Sequence, residues 1–116
     1  NKTKLKKNAK VLFLGLTFKE DVPDLRNSKS VELLKILKSL KIEIDTFDPF
    51  VRNSDFKNID FDKIIHSSYD CIIISVPHSF FIEKISTIKK FLKPNGIIFD
   101  IKGVLKKREL KNYWSL

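Results

Sequence analysis

Two short apolar runs constrain this chain more than any other feature: Val11-Leu12-Phe13-Leu14 and Cys71-Ile72-Ile73-Ile74-Ser75-Val76. Neither alternates polar with apolar residues. Each therefore reads as a strand buried on both faces, which belongs inside a parallel sheet covered by helices on its two sides. Between them, Val31, Leu33, Leu34, Ile36, Leu37 and Leu40 cover a wide apolar arc of a helix from about Ser28 to Leu40, with Asn27 or Ser28 as its N-cap. Ile42 to Phe47 alternates strictly, as a strand at an edge does, and Asp48-Pro49 ends it.

The polar stretch from Val51 to Ser68 carries scattered apolar residues, and Asp60 is placed to cap a short helix ending near His66. Beyond Pro77, the stripe Phe81, Ile85, Ile88, Leu92 predicts one helix over 80–92. Lys93-Pro94-Asn95-Gly96 reads as a turn and Ile97-Ile98-Phe99 as a fourth strand. From Ile101 onward the pattern weakens, with a short strand or turn at Val104-Leu105 and a helical turn near Glu109. Alternating strands and helices predict an α/β fold, a Rossmann-like three-layer domain with a mainly parallel sheet.

In such a fold the segments following the strands line one rim, where ligands bind. Here these are Thr17 to Arg26, Asp48-Pro49, Val76 to Ser79, and Asp100 to Gly103, so Lys19, Arg26 and Lys102 are expected on a common rim. The first of these segments is long and charged. Gly15 lets the chain leave the first strand in a conformation closed to residues with a Cβ, and Pro23 fixes one φ and keeps Val22 extended. Lys19 and Arg26 are strong donors to phosphate oxygens, and a helix N-terminus beside them favours an anion. Asp24 and Arg26, two residues apart, pair either with each other or with the backbone to hold the loop's shape. His78 follows the third strand and is a candidate ligand contact; Asp48 reads as a turn-forming residue before proline.

Composition bounds the remaining classes. With 116 residues, 42% hydrophobic, 10 Phe and only 3 Gly, the chain is one globular domain able to fold without staples. No apolar run approaches the roughly 20 residues of a membrane span, and the lysine-rich start has no signal-type apolar stretch behind it, so a cytoplasmic address is expected. The single Cys71 reads as a buried small hydrophobe, not a nucleophile. His66 and His78 lack partners at metal-ligand spacing, so no metal site is expected. The first βα turn has no Gly-x-Gly-x-x-Gly, and Leu16 and Phe18 are bulky, which argues against a dinucleotide pyrophosphate there. A phosphorelay receiver would need carboxylates at the ends of the first and third strands, where this chain has Gly15-Leu16-Thr17-Phe18 and an Asp70 at the wrong end. A net charge of +9, crowded at both termini, fits a solvated basic surface or an anionic partner, and nucleic acid stays open without any motif for it. A first residue of Asn, with a lysine-rich lead into an immediate strand, suggests a fragment of a longer protein.

One string is more specific. Phe18-Lys19, four residues, then Asp24-Leu25-Arg26-Asn27-Ser28, preceded by Lys10-Val11-Leu12-Phe13-Leu14-Gly15-Leu16-Thr17, resembles the C-terminal domain of the UDP-glucose/GDP-mannose dehydrogenase family, and within it the bacterial UDP-N-acetylhexosamine 6-dehydrogenases of surface-polysaccharide synthesis. The likeness continues through Phe47-Asp48-Pro49, the strand Asp70 to Val76, Gly96 to Gly103, and Tyr113-Trp114-Ser115-Leu116. The resemblance implies a parent enzyme that oxidises the C6 alcohol of a UDP-sugar to a carboxylate by two hydride transfers to NAD, through a cysteine-bound thiohemiacetal. NAD would sit in a missing N-terminal domain and the cysteine in a missing central part, leaving no cofactor, no metal and no catalytic residue in this domain. By the same likeness Phe18 and Lys19 bind substrate, Lys102 stands near a basic position that faces the phosphates, and Asp24, Arg26 and Ser28 shape the loop; Arg26, a strong phosphate donor, is also expected to bind substrate, and Gly15 and Pro23 shape the loop through their backbone limits. Gly103 stands where many relatives carry a second basic residue. Residues 1–9 then form a basic lead-in and 10–116 the nucleotide-sugar-binding domain of a homo-oligomeric parent, with neither membrane nor nucleic acid as partner.

Overall fold

In the computed structural model the described residues are 9–40, 42–51, 58–103, 105 and 113–115. Among these residues five strands form one sheet in the order β2-β1-β3-β4-β5, with every neighbouring pair parallel: β1 (Lys10–Leu14), β2 (Glu43–Phe47), β3 (Tyr69–Ile74), β4 (Leu92–Asp100) and β5 (Tyr113–Ser115). The two apolar runs lie side by side in register, Val11 opposite Cys71 and Leu14 opposite Ile74. Their alternate residues divide the core. Val11, Phe13, Cys71 and Ile73 pack with Leu34 of helix α1 (Lys29–Lys38) on one face. Leu12, Leu14, Ile72 and Ile74 pack with Phe81 and Ile88 on the other. Each side chain buried this way contributes roughly 1.5–3 kcal/mol, so the sheet's position is set by both layers at once.

Helix α1 begins where Ser28 Oγ accepts the Val31 N–H at 3.2 Å, which decides the cap in favour of Ser28 over Asn27. The apolar arc is narrower than the sequence pattern predicts. Leu34 is buried, whereas Ile36 and Leu40 are 63% and 53% exposed. Strand β2 is an edge strand, as its alternation predicts. Asp60 caps only a 3₁₀ turn, Phe61–Lys63, and His66 is exposed just after it.

The helix expected over 80–92 is broken. It consists of α2 (Ser79–Glu83), α3 (Ile85–Ile88) and a 3₁₀ turn (Lys89–Phe91), interrupted at Lys84. Phe81, Ile88 and Phe91 are buried, so the interruption re-aims the apolar stripe onto the sheet and Phe91 takes the inward place expected of Leu92. The turn expected at Lys93-Pro94-Asn95-Gly96 lies inside β4 as an irregularity. Tyr69 pairs Leu92 and Cys71 pairs Ile97, so two steps along β3 match five along β4. The turn residues supply that excess. Strand β5 had no sequence pattern to announce it; Val104 and the helical turn near Glu109 lie outside the described residues.

Candidate functional site

The order β2-β1-β3 makes the gap between β1 and β3 the place where chain direction across the sheet reverses. Gly15 leaves β1 there with φ +96°, and a Cβ on it would lie 2.6 Å from the backbone N of Val76 in the segment after β3. The neighbouring exits are tied together as expected. Gly15 N–H donates to Phe47 O (3.0 Å), Ser75 N–H to Leu14 O (2.8 Å) and Ile101 N–H to Ile74 O (3.1 Å). The four rim segments therefore share one end of the sheet.

Two buried carboxylates shape this rim, and the sequence reading gave neither that role. Asp48, fully buried, accepts Leu16 N–H (2.6 Å) and Thr17 N–H (3.3 Å) on Oδ2, and Phe50 N–H (2.8 Å) on Oδ1. It is the turn-former predicted, and also the post on which the β1 loop hangs. Asp100, likewise buried, accepts Gly103 N–H (3.1 Å), Leu105 N–H (2.7 Å) and the Tyr113 hydroxyl (2.8 Å), folding the segment after β4 and fastening β5. A carboxylate at the end of a strand was the available signal for both.

His78 corrects an expectation. It follows β3 as predicted, yet its side chain is fully buried and cannot face a ligand. Its ring nitrogens instead contact Asp48 Oδ2 (2.8 Å), Thr17 Oγ1 (3.1 Å) and the Asp21 N–H (2.8 Å), and Phe50 stacks near it at 4.9 Å between centroids.

The residues singled out from sequence fall into two groups. Ser28 is internal: its hydroxyl donates to Leu16 O at 2.7 Å, pinning the far end of the loop to its start. Asp24 holds Arg26 by a two-pronged pair, Nε and Nη2 each 3.1 Å from a carboxylate oxygen, and Phe18 N–H donates to Asp24 O. The pairing alternative is the one realised. Phe18, Lys19, Pro23 and Lys102 are exposed, and among the described residues no carboxylate pairs with the Lys19 ammonium. Phe18, Asp24, Arg26 and Asn27 surround a shallow cleft of about 170 Å³. Lys102 stands at the end of β4, two strands from β1, about 10 Å away at ordinary strand spacing. Cys71 is buried, and burial pushes its thiol up to about 12, so it stays a protonated packing group. The basic termini, Lys2 to Lys7 and Lys106 to Lys111, lie outside the described residues.

Asp21 closes the loop from its other side. Its carboxylate accepts the Ser79 hydroxyl (2.7 Å) and the Ser79 N–H (2.9 Å), and these bonds hold it below the ordinary carboxylate value; the Arg26 bonds do the same for Asp24. A depressed folded-state value means the clamp is complete above the ordinary carboxylate range and is lost as pH falls through it. The Ser79 amide should therefore keep its protection from hydrogen exchange down to about pH 4 and lose it only below, which exchange measured along a pH series checks.

Residues 12–107 match the family described as the UDP-glucose/GDP-mannose dehydrogenase family, UDP binding domain. The chain belongs to this family, as its UDP binding domain. It is 38% identical over 102 residues to the UDP-N-acetyl-D-glucosamine 6-dehydrogenase of Pseudomonas aeruginosa, covering 84% of this chain and 24% of that one. The UDP-N-acetyl-mannosamine dehydrogenase Cap5O of Staphylococcus aureus superposes with a TM-score of 0.71 at 30% identity, over 92% of this chain and 26% of that one. The UDP-D-ManNAc dehydrogenase of Pyrococcus horikoshii superposes with a TM-score of 0.74 at 25% identity, over 94% and 25%. The chain thus spans about a quarter of the length of these dehydrogenases. Within the matched span lie the whole β1 loop, Asp48, His78 and Lys102. Among the described residues no helix is long and apolar enough to cross a membrane.

Proposed function

We propose that this domain holds the UDP end of a UDP-N-acetylhexosamine at the rim formed by residues 15–28, 48–50, 75–79 and 100–103, within an NAD-dependent UDP-sugar 6-dehydrogenase. The observation that carries the reading is the β1 loop itself. It is clamped at both ends over the switch point of a parallel sheet, and it presents outward a half-exposed Phe18 and a Lys19 that has no carboxylate partner among the described residues. Lys19 supplies a point charge for the diphosphate, and the Phe18 ring a flat apolar surface for the base or ribose. Arg26 spends two of its five donors on Asp24, which leaves its outer edge for phosphate or sugar oxygens. Lys102 approaches the same anion from the β4 side.

The parent's NAD belongs elsewhere, because the groups that would receive a dinucleotide here do not fit one. Leu16 and Phe18 occupy the first βα turn, and the carboxylate after β2, where a ribose-binding acid would stand, is sealed inside and saturated with donors. In this reading residues 1–9 lead in from the remaining three quarters of a cytoplasmic, homo-oligomeric parent. That remainder supplies NAD, the catalytic cysteine and the rest of the substrate pocket.

Calorimetry of the chain with UDP, UDP-N-acetylglucosamine, UDP-N-acetylmannosamine and NAD tests the reading. Saturable UDP binding is expected, weakened about tenfold, or about 1.4 kcal/mol, by Lys19→Ala. Tighter binding of NAD than of UDP overturns the reading. So does affinity for mixed duplex nucleic acid that falls steeply with salt, with no saturable response to UDP.

A further inference from the structure

The imidazole of His78 touches both feet of the arch that carries Phe18 and Lys19. At one foot, Thr17 Oγ1 lies 3.1 Å from Nε2 and donates onward to Lys19 O at 2.9 Å. At the other, the Asp21 N–H donates to Nδ1 at 2.8 Å. We propose that His78, neutral and protonated on Nε2, is the positioning residue that sets where the Phe18-Lys19 arch stands, and thereby how tightly the domain holds a nucleoside diphosphate. The inference rests on the reading given under Proposed function.

The hydrogen-bond network assigns the tautomer. A backbone N–H can only donate, so Nδ1 carries no proton and the ring's one N–H is on Nε2. That N–H points at Asp48 Oδ2, 2.8 Å away, with the Thr17 hydroxyl as a secondary acceptor because its own proton goes to Lys19 O. Asp21 has φ +60°, a conformation that non-glycine residues hold only when their surroundings impose it; the imposing contacts are the His78 ring and Ser79. Among the described residues His78 is thus the one side chain that touches both feet of the arch, beside the Ser79 and Asp48 contacts that each hold one of them.

The arrangement also makes the arch sensitive to ring protonation. A proton on Nδ1 would face the Asp21 N–H, donor against donor. The charged groups around the ring are the carboxylates of Asp48 and Asp21, the latter with Oδ1 3.8 Å from Nδ1; Phe50 and Phe81 pack on it without charge. Protonation would exchange the backbone anchor for the Asp21 carboxylate and draw that carboxylate off Ser79.

The test uses the 116-residue chain with His78→Asn and His78→Gln. The Asn amide overlays Nδ1 and can still accept from Asp21; the Gln amide overlays Nε2 and can still donate to Asp48. Ring-nitrogen NMR of the unsubstituted chain should show Nε2 protonated, Nδ1 bare and the Asp21 amide slow to exchange. Both variants, folded by circular dichroism, should bind UDP-N-acetylglucosamine at least tenfold more weakly. A proton on Nδ1 at neutral pH, or variants that fold and bind as tightly as the original, overturns the positioning role while leaving the UDP reading intact. Absence of UDP-sugar binding by the unsubstituted chain overturns that reading instead, and the ring spectrum and Asp21 exchange then still decide whether His78 sets the arch.

Discussion

Replacing Asp48 by Ala should destabilise the chain by about 3–4 kcal/mol, the largest loss expected from any single polar residue described above. The carboxylate is fully buried and receives Leu16 N–H, Thr17 N–H, Phe50 N–H and His78 Nε2. Its removal leaves three backbone donors without an acceptor and His78 Nε2 with only the Thr17 hydroxyl. An orphaned buried donor costs about 1–3 kcal/mol, and the loop's partial freedom to relax brings the sum below the simple total. Against a typical stability of about 5–15 kcal/mol this is a large fraction. Urea unfolding should show a lower midpoint with an unchanged slope for Asp48→Ala, and a smaller shift for Asp48→Asn, which keeps the shape and one oxygen. An Ala variant as stable as the original would mean that Asp48 is not the post on which the loop hangs.

Gly15→Ala should destabilise by about 3 kcal/mol for an unrelated reason. An L-residue in a left-handed conformation costs roughly 1–2 kcal/mol, and φ at this position is +96°. The added Cβ would meet Val76 N at 2.6 Å and Val76 O at 2.9 Å, backbone atoms that can move only if the exits of β1 and β3 separate. UDP affinity should fall together with stability, since the same displacement carries the arch away from the β3 segment. Thermal unfolding and calorimetry on one preparation check both. A variant with lowered stability and undiminished UDP affinity would detach the arch from the switch point.

What the sequence disclosed followed from how local each signal is. The two apolar strands, the edge character of β2, the Ser28 cap and the gathering of four rim segments depend on side-chain period, one capping residue and the geometry of parallel crossovers. The interruption at Lys84 was hidden because Phe81, Ile85 and Ile88 keep helical spacing on either side of it, and only the sheet beneath selects Phe91 over Leu92 as the next buried residue. Pro94, Asn95 and Gly96 read as a turn that ends before the fourth strand, whereas β4 runs through them and the register shift absorbs the extra residues. The buried polar groups were the least legible. Asp48, His78 and Asp100 act through partners up to 61 residues away in sequence, as Thr17 is from His78, and no spacing rule joins them. Once the sheet brings the strand ends together, each finds the backbone donors that fix its role.

Amide chemical-shift mapping of the isotopically labelled chain titrated with UDP tests the central claim most directly. Saturable shifts confined to residues 15–28, 48–50, 75–79 and 100–103, and reduced by Lys19→Ala, are the predicted result. Saturable shifts concentrated instead at the opposite ends of the strands, around Lys10, Glu43 and Tyr69, would contradict it.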